Sequence, residues 1–121
     1  MADSFRDLIG WQKAMMFVVD VYRITESFPD GERYGLTNQV RRAAVGVASN
    51  IAEGKGRLSK KEFVQFLAKA RGSLCEVQTQ LEIGLRLDYL RGPQFELIDE
   101  QARELGRILN GLMKTVRIST T

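Results

Sequence analysis

The side chains in this sequence that could do chemistry are its cations. Arg41 and Arg42 stand side by side, Lys55 and Arg57 bracket Gly56, and Lys60 and Lys61 follow closely, with Lys69 and Arg71 beyond. Guanidinium and ammonium groups gathered on one surface form charge-assisted hydrogen bonds to phosphate oxygens, which requires neither a general acid nor an enclosed pocket. Such a set predicts salt-dependent contact with RNA or DNA and weak sequence selectivity. Charge alone leaves a second reading open: the same residues form a purely structural surface, facing solvent or pairing with carboxylates between copies of the chain.

Other chemistries fare worse. The sequence contains no histidine, which removes the commonest general base and the commonest transition-metal ligand together. A di-metal helical bundle wants Glu-x-x-His motifs, and a haem bundle would have to draw its axial ligand from Met or the lone Cys. Cys75 follows Leu74 in a helical pattern and reads as a small buried thiol. Glu53 is expected to pair with Arg42 or Arg57 rather than act as an acid. The Gly46–Gly56 stretch contains Gly-Lys but lacks the spacing, the following Ser or Thr and the preceding strand of a nucleotide-binding loop. The turn Gly54-Lys55-Gly56-Arg57 remains as either a helix cap or an amide-lined phosphate contact. No catalytic residue, cofactor or metal site is expected, and the chain is not expected to be an enzyme.

The positions of the charges matter more than their sum. Net charge is +3, yet residues 1–32 carry three basic and six acidic groups, residues 33–72 nine basic and two acidic, and residues 73–121 six basic and seven acidic. Positive charge is concentrated in the middle third. With 121 residues, 44% apolar and 27% charged, the chain suits one domain with a single core. No apolar run approaches the ~20 residues of a membrane span. Asp3 and Asp7 occupy the place of a positively charged leader segment, so the expected location is cytoplasmic.

The elements that must position these cations are helices, at about 8–28, 36–54, 60–90 and 93–117. The first has two apolar seams: Trp11, Met15, Val18 and Tyr22, and beside it Ala14, Phe17, Val21, Ile24 and Phe28. A face that wide predicts packing on another subunit or a broad internal surface. The second carries Val40, Ala44, Val47 and Ile51, with Gly54 suited to the left-handed position past its end. The third opens on Ser59-x-x-Glu62, a capping box, and runs through Phe63, Leu67, Ala70, Leu74, Val77 and Leu81. The fourth follows Pro93 and places Ile98, Ala102, Leu105, Leu109, Leu112 and Val116 in one seam. Gly46, Gly72, Gly84, Gly106 and Gly111 fall inside helices, where each costs about 1 kcal/mol against alanine; close crossings or unfilled space are the expected compensation. Short connections predict an all-α, antiparallel up-down-up-down four-helix bundle.

These residues resemble the four-helix family named after proteins encoded in intervening sequences of 23S ribosomal RNA genes. The resemblance rests on Phe5-Arg6-Asp7-Leu8 with Trp11-Gln12-Lys13-Ala14, on Arg33-Tyr34-Gly35-Leu36-Thr37 with Gln39-Val40-Arg41-Arg42-Ala43-Ala44-Val45, and on Ser49-Asn50-Ile51-Ala52-Glu53-Gly54. Ala70-Arg71-Gly72-Ser73-Leu74, Thr79-Gln80-Leu81 and Leu109-Asn110-Gly111-Leu112 continue it. It implies a cytosolic protomer that assembles into a cyclic homopentamer. It is also similar to the accessory variability proteins of diversity-generating retroelements, which implies nucleic acid and a reverse transcriptase as partners. The sequence departs from the family pattern at Ala48, where proline is common, and at Gly46, where serine is frequent. The combined expectation is a non-enzymatic oligomeric adaptor that contacts nucleic acid through Arg41, Arg42, Lys55, Arg57, Lys60 and Lys61.

Overall fold

Apolar residues recur every three or four positions, and the chain answers with four long helices around one core. The computed structural model describes residues 4–119, so the expectation drawn from Asp3 lies outside the described residues. Helix α1 spans Ile9–Ile24, α2 Leu36–Lys55, α3 Lys60–Arg86 and α4 Gly92–Ile118; there is no strand among the described residues. The shared core contains Phe17 and Val21 of α1, Val47 and Ile51 of α2, Leu74 and Leu81 of α3, and Leu105 and Leu109 of α4.

The two seams of α1 have different fates. Ala14, Phe17 and Val21 are buried, whereas Trp11 and Val18 are half-buried and Met15 and Tyr22 exposed. Ile9, Met15, Met16, Val19 and Tyr22 are between 40% and 61% exposed, leaving α1 with an apolar outer face that the protomer does not cover. The helix stops earlier than its apolar pattern. Thr25 turns its hydroxyl back onto the Val21 carbonyl at 2.7 Å, and Thr25–Ser27 tightens into a 3-10 turn before Pro29. Phe28 still reaches the core from that connection, closing on Gly84, where an added Cβ would fall 2.9 Å from the ring.

Helix α2 runs unbroken through Gly46 and Ala48. Gly54 is not its left-handed terminator: it is helical and buried, and the helix ends one residue later at Lys55, where the Gly56 amide reaches the Ala52 and Glu53 carbonyls with an ordinary negative φ. The need for glycine at 54 is steric, because a Cβ there would sit 2.8 Å from Phe66 Cβ and 3.0 Å from Phe63 Cδ1. Gly46 likewise lies against Ser73, and Gly106 meets Leu74 at ordinary distance. Gly72 and Gly111 face open space, so close crossings account for only part of the helix-interior glycines.

Helix α3 begins as expected, with the Glu62 amide donating to Ser59 Oγ at 3.1 Å. The reciprocal half differs: the Ser59 hydroxyl, not its amide, reaches the Glu62 carboxylate. Its other end falls at Arg86 rather than near residue 90. Asp88 takes the left-handed conformation at φ 63, its amide meeting the Leu85 carbonyl while the Tyr89 amide meets that of Gly84. Those two bonds form a Schellman cap on a non-glycine residue. Leu90 is thereby delivered to the core, and Tyr89 reaches the Glu32 carboxylate at 2.9 Å.

Two buried-residue expectations are corrected. Cys75 is exposed, because Leu74 and Val77 carry the core seam of α3 and the position after Leu74 points away from it. In α4 the seam passes through Met113, with Leu112 only half-buried. Contacts between elements pair Gly10 with Ile108, Asp20 with Gln101 and Arg71 with Asn110.

Candidate nucleic-acid interface

The cations divide between the two ends of α2. Arg42 and Lys55 are thirteen positions apart on α2, about 20 Å of helix at 1.5 Å per residue, and Arg57 follows the end of that helix, so Arg41, Arg42, Lys55 and Arg57 do not converge on one site within a protomer.

At the N-terminal end, Arg41 is committed to the fold. Its Nε donates to Thr25 Oγ1 at 2.9 Å, one Nη donates to the Tyr22 carbonyl at 3.1 Å, and the guanidinium lies 4.7 Å from the Tyr22 ring centroid. The end of α1 exposes carbonyls with no helical partner, and Arg41 meets that negative end with a cation. Arg42 faces solvent and has no hydrogen-bond or ion-pair partner among the described residues. It stands between two shallow grooves. One, of about 500 Å³, lies among the end of α1, the connection and the start of α2 and includes Arg33; the other, of about 360 Å³, lies between α2 and α3.

At the C-terminal end of α2, Arg57 meets Glu53 at 3.8 Å, one of the two pairings expected for that carboxylate. Arg57 and Lys69 also share an aromatic platform, lying 4.5 Å and 4.4 Å from the Phe66 ring centroid. A ring face attracts cations through its quadrupole, so Phe66 draws both charges to one side chain. Phe66 Cβ is the atom against which Gly54 packs, so the α2–α3 crossing positions the platform. Lys55 is half-buried. Lys60 donates to the Ser119 carbonyl, and Lys60 and Lys61 border a groove of about 330 Å³ with Val64, Gln65 and Arg117.

Arg33, Arg117 and Phe66 were absent from the sequence-based site. Arg33 had a local signal, since it lies just before α2. Arg117 had none, because its proximity to Lys60 depends on how α4 packs against α3. Phe66 precedes the seam residue Leu67 and lies off the apolar spacing of α3, so it gave no local signal. Away from the cations, Glu32 and Tyr89 perturb one another. The Leu36 amide, followed by the Tyr89 hydroxyl, holds the Glu32 carboxyl below the usual carboxylate range, and the Glu32 hydrogen bond pushes the Tyr89 hydroxyl above its ordinary value. Both groups are engaged in closing the connection onto the α3–α4 turn. Among the described residues, no three Cys, Asp or Glu side chains gather as a metal ion would require, and no helix is long and apolar enough to cross a membrane.

These features define a four-helix, all-α protein with basic groups displayed at the ends of its second helix and an uncovered apolar face on its first. The chain belongs to the family of 23S rRNA-intervening sequence proteins, whose model matches residues 6–111. Its fold is similar to that in a 1.70 Å crystal structure of a protein of unknown function from the S23 ribosomal protein family of Bacteroides thetaiotaomicron. The TM-score is 0.81 at 21% identity, over 88% of this chain and 99% of that one. Comparison with curated protein sequences finds no match.

Proposed function

We propose that the chain is a non-enzymatic adaptor in which copies of an antiparallel up-down-up-down bundle associate and present their cations to RNA or DNA. The observation that carries this reading is the shortage of acidic partners. Of Arg41, Arg42, Lys55, Arg57, Lys60 and Lys61, only Arg57 meets a carboxylate among the described residues, whereas Arg103 meets both Asp99 and Glu100 on α4. Unpaired surface cations retain their attraction for phosphates. The pairing of Gly54 with Phe63 and Phe66 and of Gly46 with Ser73, and of Gly10 with Ile108 and Asp20 with Gln101, supports antiparallel neighbours.

Association is supported by the outer face of α1, where Ile9, Met15, Met16, Val19 and Tyr22 stand exposed, because clustered exposed apolar side chains mark a surface that a partner covers. In a closed ring each copy repeats both basic ends, and contacts too weak singly gain from simultaneous engagement. The count of five, a cytoplasmic setting and a protein partner such as a reverse transcriptase carry over from the family resemblance.

The test is retardation of a labelled single-stranded RNA across a salt series. Binding is expected at about 50 mM salt, with log affinity falling linearly against log salt by roughly 0.7 per phosphate contact. No retardation at that salt, with the oligomer intact by light scattering, would refute the nucleic-acid reading and leave pairing between copies as the role of the cations.

A further inference from the structure

Thr25 and Thr37 are the two buried polar residues among those described, and they differ in one respect. Thr25 bonds to the Val21 carbonyl and to Arg41. Thr37, only 9% exposed, makes no side-chain hydrogen bond at all. Its hydroxyl is nevertheless not sealed, since the only fully enclosed unpartnered side-chain atom among the described residues is Gln80 Oε1. The Thr37 hydroxyl therefore opens onto the groove that Thr37 lines at the beginning of α2.

Other donors open at the same end. The Leu36 amide is taken by Glu32 and the Gln39 amide by the Gly35 carbonyl, while the Thr37 and Asn38 amides between them have no partner. No side chain of Gly35 can cap them, and the first turn of α2 contains no acidic residue. Arg33, Arg41 and Arg42 line this groove together with the carboxylates of Glu26 and Asp30. No ion pair joins either carboxylate to any of the three arginines. Amides at a helix start, a hydroxyl and unpaired guanidinium forks are the donors that a tetrahedral oxyanion with several acceptor oxygens takes up.

We propose that this groove is a binding site for a phosphate group, held by the Thr37 and Asn38 amides, the Thr37 hydroxyl and the guanidiniums of Arg33 and Arg42. Arg41, tethered to α1, supplies fixed positive charge beside it. The proposal deepens the nucleic-acid reading and rests on it for one source of the phosphate, an RNA backbone or 5′ end; a small phosphorylated metabolite presents the same chemistry. Glu26 and Asp30 oppose any bound anion, so neutralising them should tighten binding.

The test titrates inorganic phosphate into the full chain against chloride at equal ionic strength, following the Thr37 and Asn38 backbone amides by NMR. Saturable shifts of both amides are expected. Thr37→Val, which keeps the branched shape, should weaken phosphate binding about tenfold, the loss of one hydrogen bond to a charged acceptor, and Glu26→Gln should strengthen it. Absent or non-saturating shifts, or a Thr37→Val variant that binds phosphate like the parent, would overturn the site. RNA retardation is read in parallel with 5′-phosphate and 5′-hydroxyl oligonucleotides, and a nucleoside monophosphate is titrated by NMR. Weaker RNA binding by Thr37→Val identifies RNA as the source. Monophosphate binding without RNA retardation supports the site with a small-molecule source and defeats the nucleic-acid reading. RNA retardation without amide shifts defeats the site alone.

Discussion

Gly54→Ala tests the crossing on which both the fold and the Phe66 platform depend. Alanine improves helix propensity by about 1 kcal/mol over glycine, so in open space the substitution would stabilise. At position 54 the new methyl meets Phe66 Cβ at 2.8 Å, Phe63 Cδ1 at 3.0 Å and the Phe63 carbonyl at 3.3 Å. Two of those atoms belong to or adjoin the α3 backbone and cannot swing aside, so α2 and α3 must move apart. Overpacking of this kind costs about 1–3 kcal/mol, giving a net loss of roughly 1 kcal/mol after the propensity gain. Gly72→Ala and Gly111→Ala meet nothing within 4 Å and should each stabilise by roughly 0.5–1 kcal/mol. The assay is urea unfolding followed by far-ultraviolet circular dichroism, at one fixed protein concentration because association adds to apparent stability. A displaced Phe66 should also release Arg57 and Lys69, so Gly54→Ala is expected to weaken RNA retardation. A Gly54→Ala variant as stable as Gly72→Ala would refute the steric account of this crossing.

The two neighbouring arginines should behave differently. Arg41→Met removes the hydrogen bonds to Thr25 and Tyr22 and should cost about 1–3 kcal/mol in urea unfolding; Arg42→Glu should leave stability within about 0.5 kcal/mol and the oligomer intact while weakening RNA retardation. Asp88→Gly relieves a left-handed non-glycine residue and should raise stability by up to about 1 kcal/mol in the same assay. Val19→Asp, on the outer face of α1, should abolish the proposed association, read by light scattering, without loss of helical signal. The lowered Glu32 pKa stabilises the fold above the ordinary carboxylate range, and that contribution disappears as pH falls through the folded-state value. Glu32→Gln should therefore flatten the acid limb of a stability–pH profile, whereas Tyr89→Phe should remove the loss that begins above the ordinary tyrosine range and is complete once pH has risen through the elevated Tyr89 value.

Local pattern carried much of the fold. The seam of α3 was legible nearly residue by residue: Leu67, Ala70, Leu74, Val77 and Leu81 are all buried and Phe63 is half-buried. Side-chain direction along a helix repeats with a fixed period, so composition and spacing suffice. The family resemblance was legible for the same reason, since its matching stretches follow one another along the chain.

Where one element ends or meets another, the linear pattern ran out. Spacings of four and three fit Leu112 as well as Met113, and the packing of α4 on its neighbours chooses Met113. Gly54 resembled a helix terminator until Phe63 and Phe66 of α3 came against it, while the left-handed turn fell instead to Asp88. The sequence showed where positive charge was concentrated. Folding determined that Arg41 would be tied to the end of α1, that Arg42 would face two grooves while Arg57 met the Phe66 ring, and that Arg33 and Arg117 would join them. Periodicity is a property of neighbours in the chain, whereas a site is set by distances across it, and those arise only when helices remote in sequence share a core.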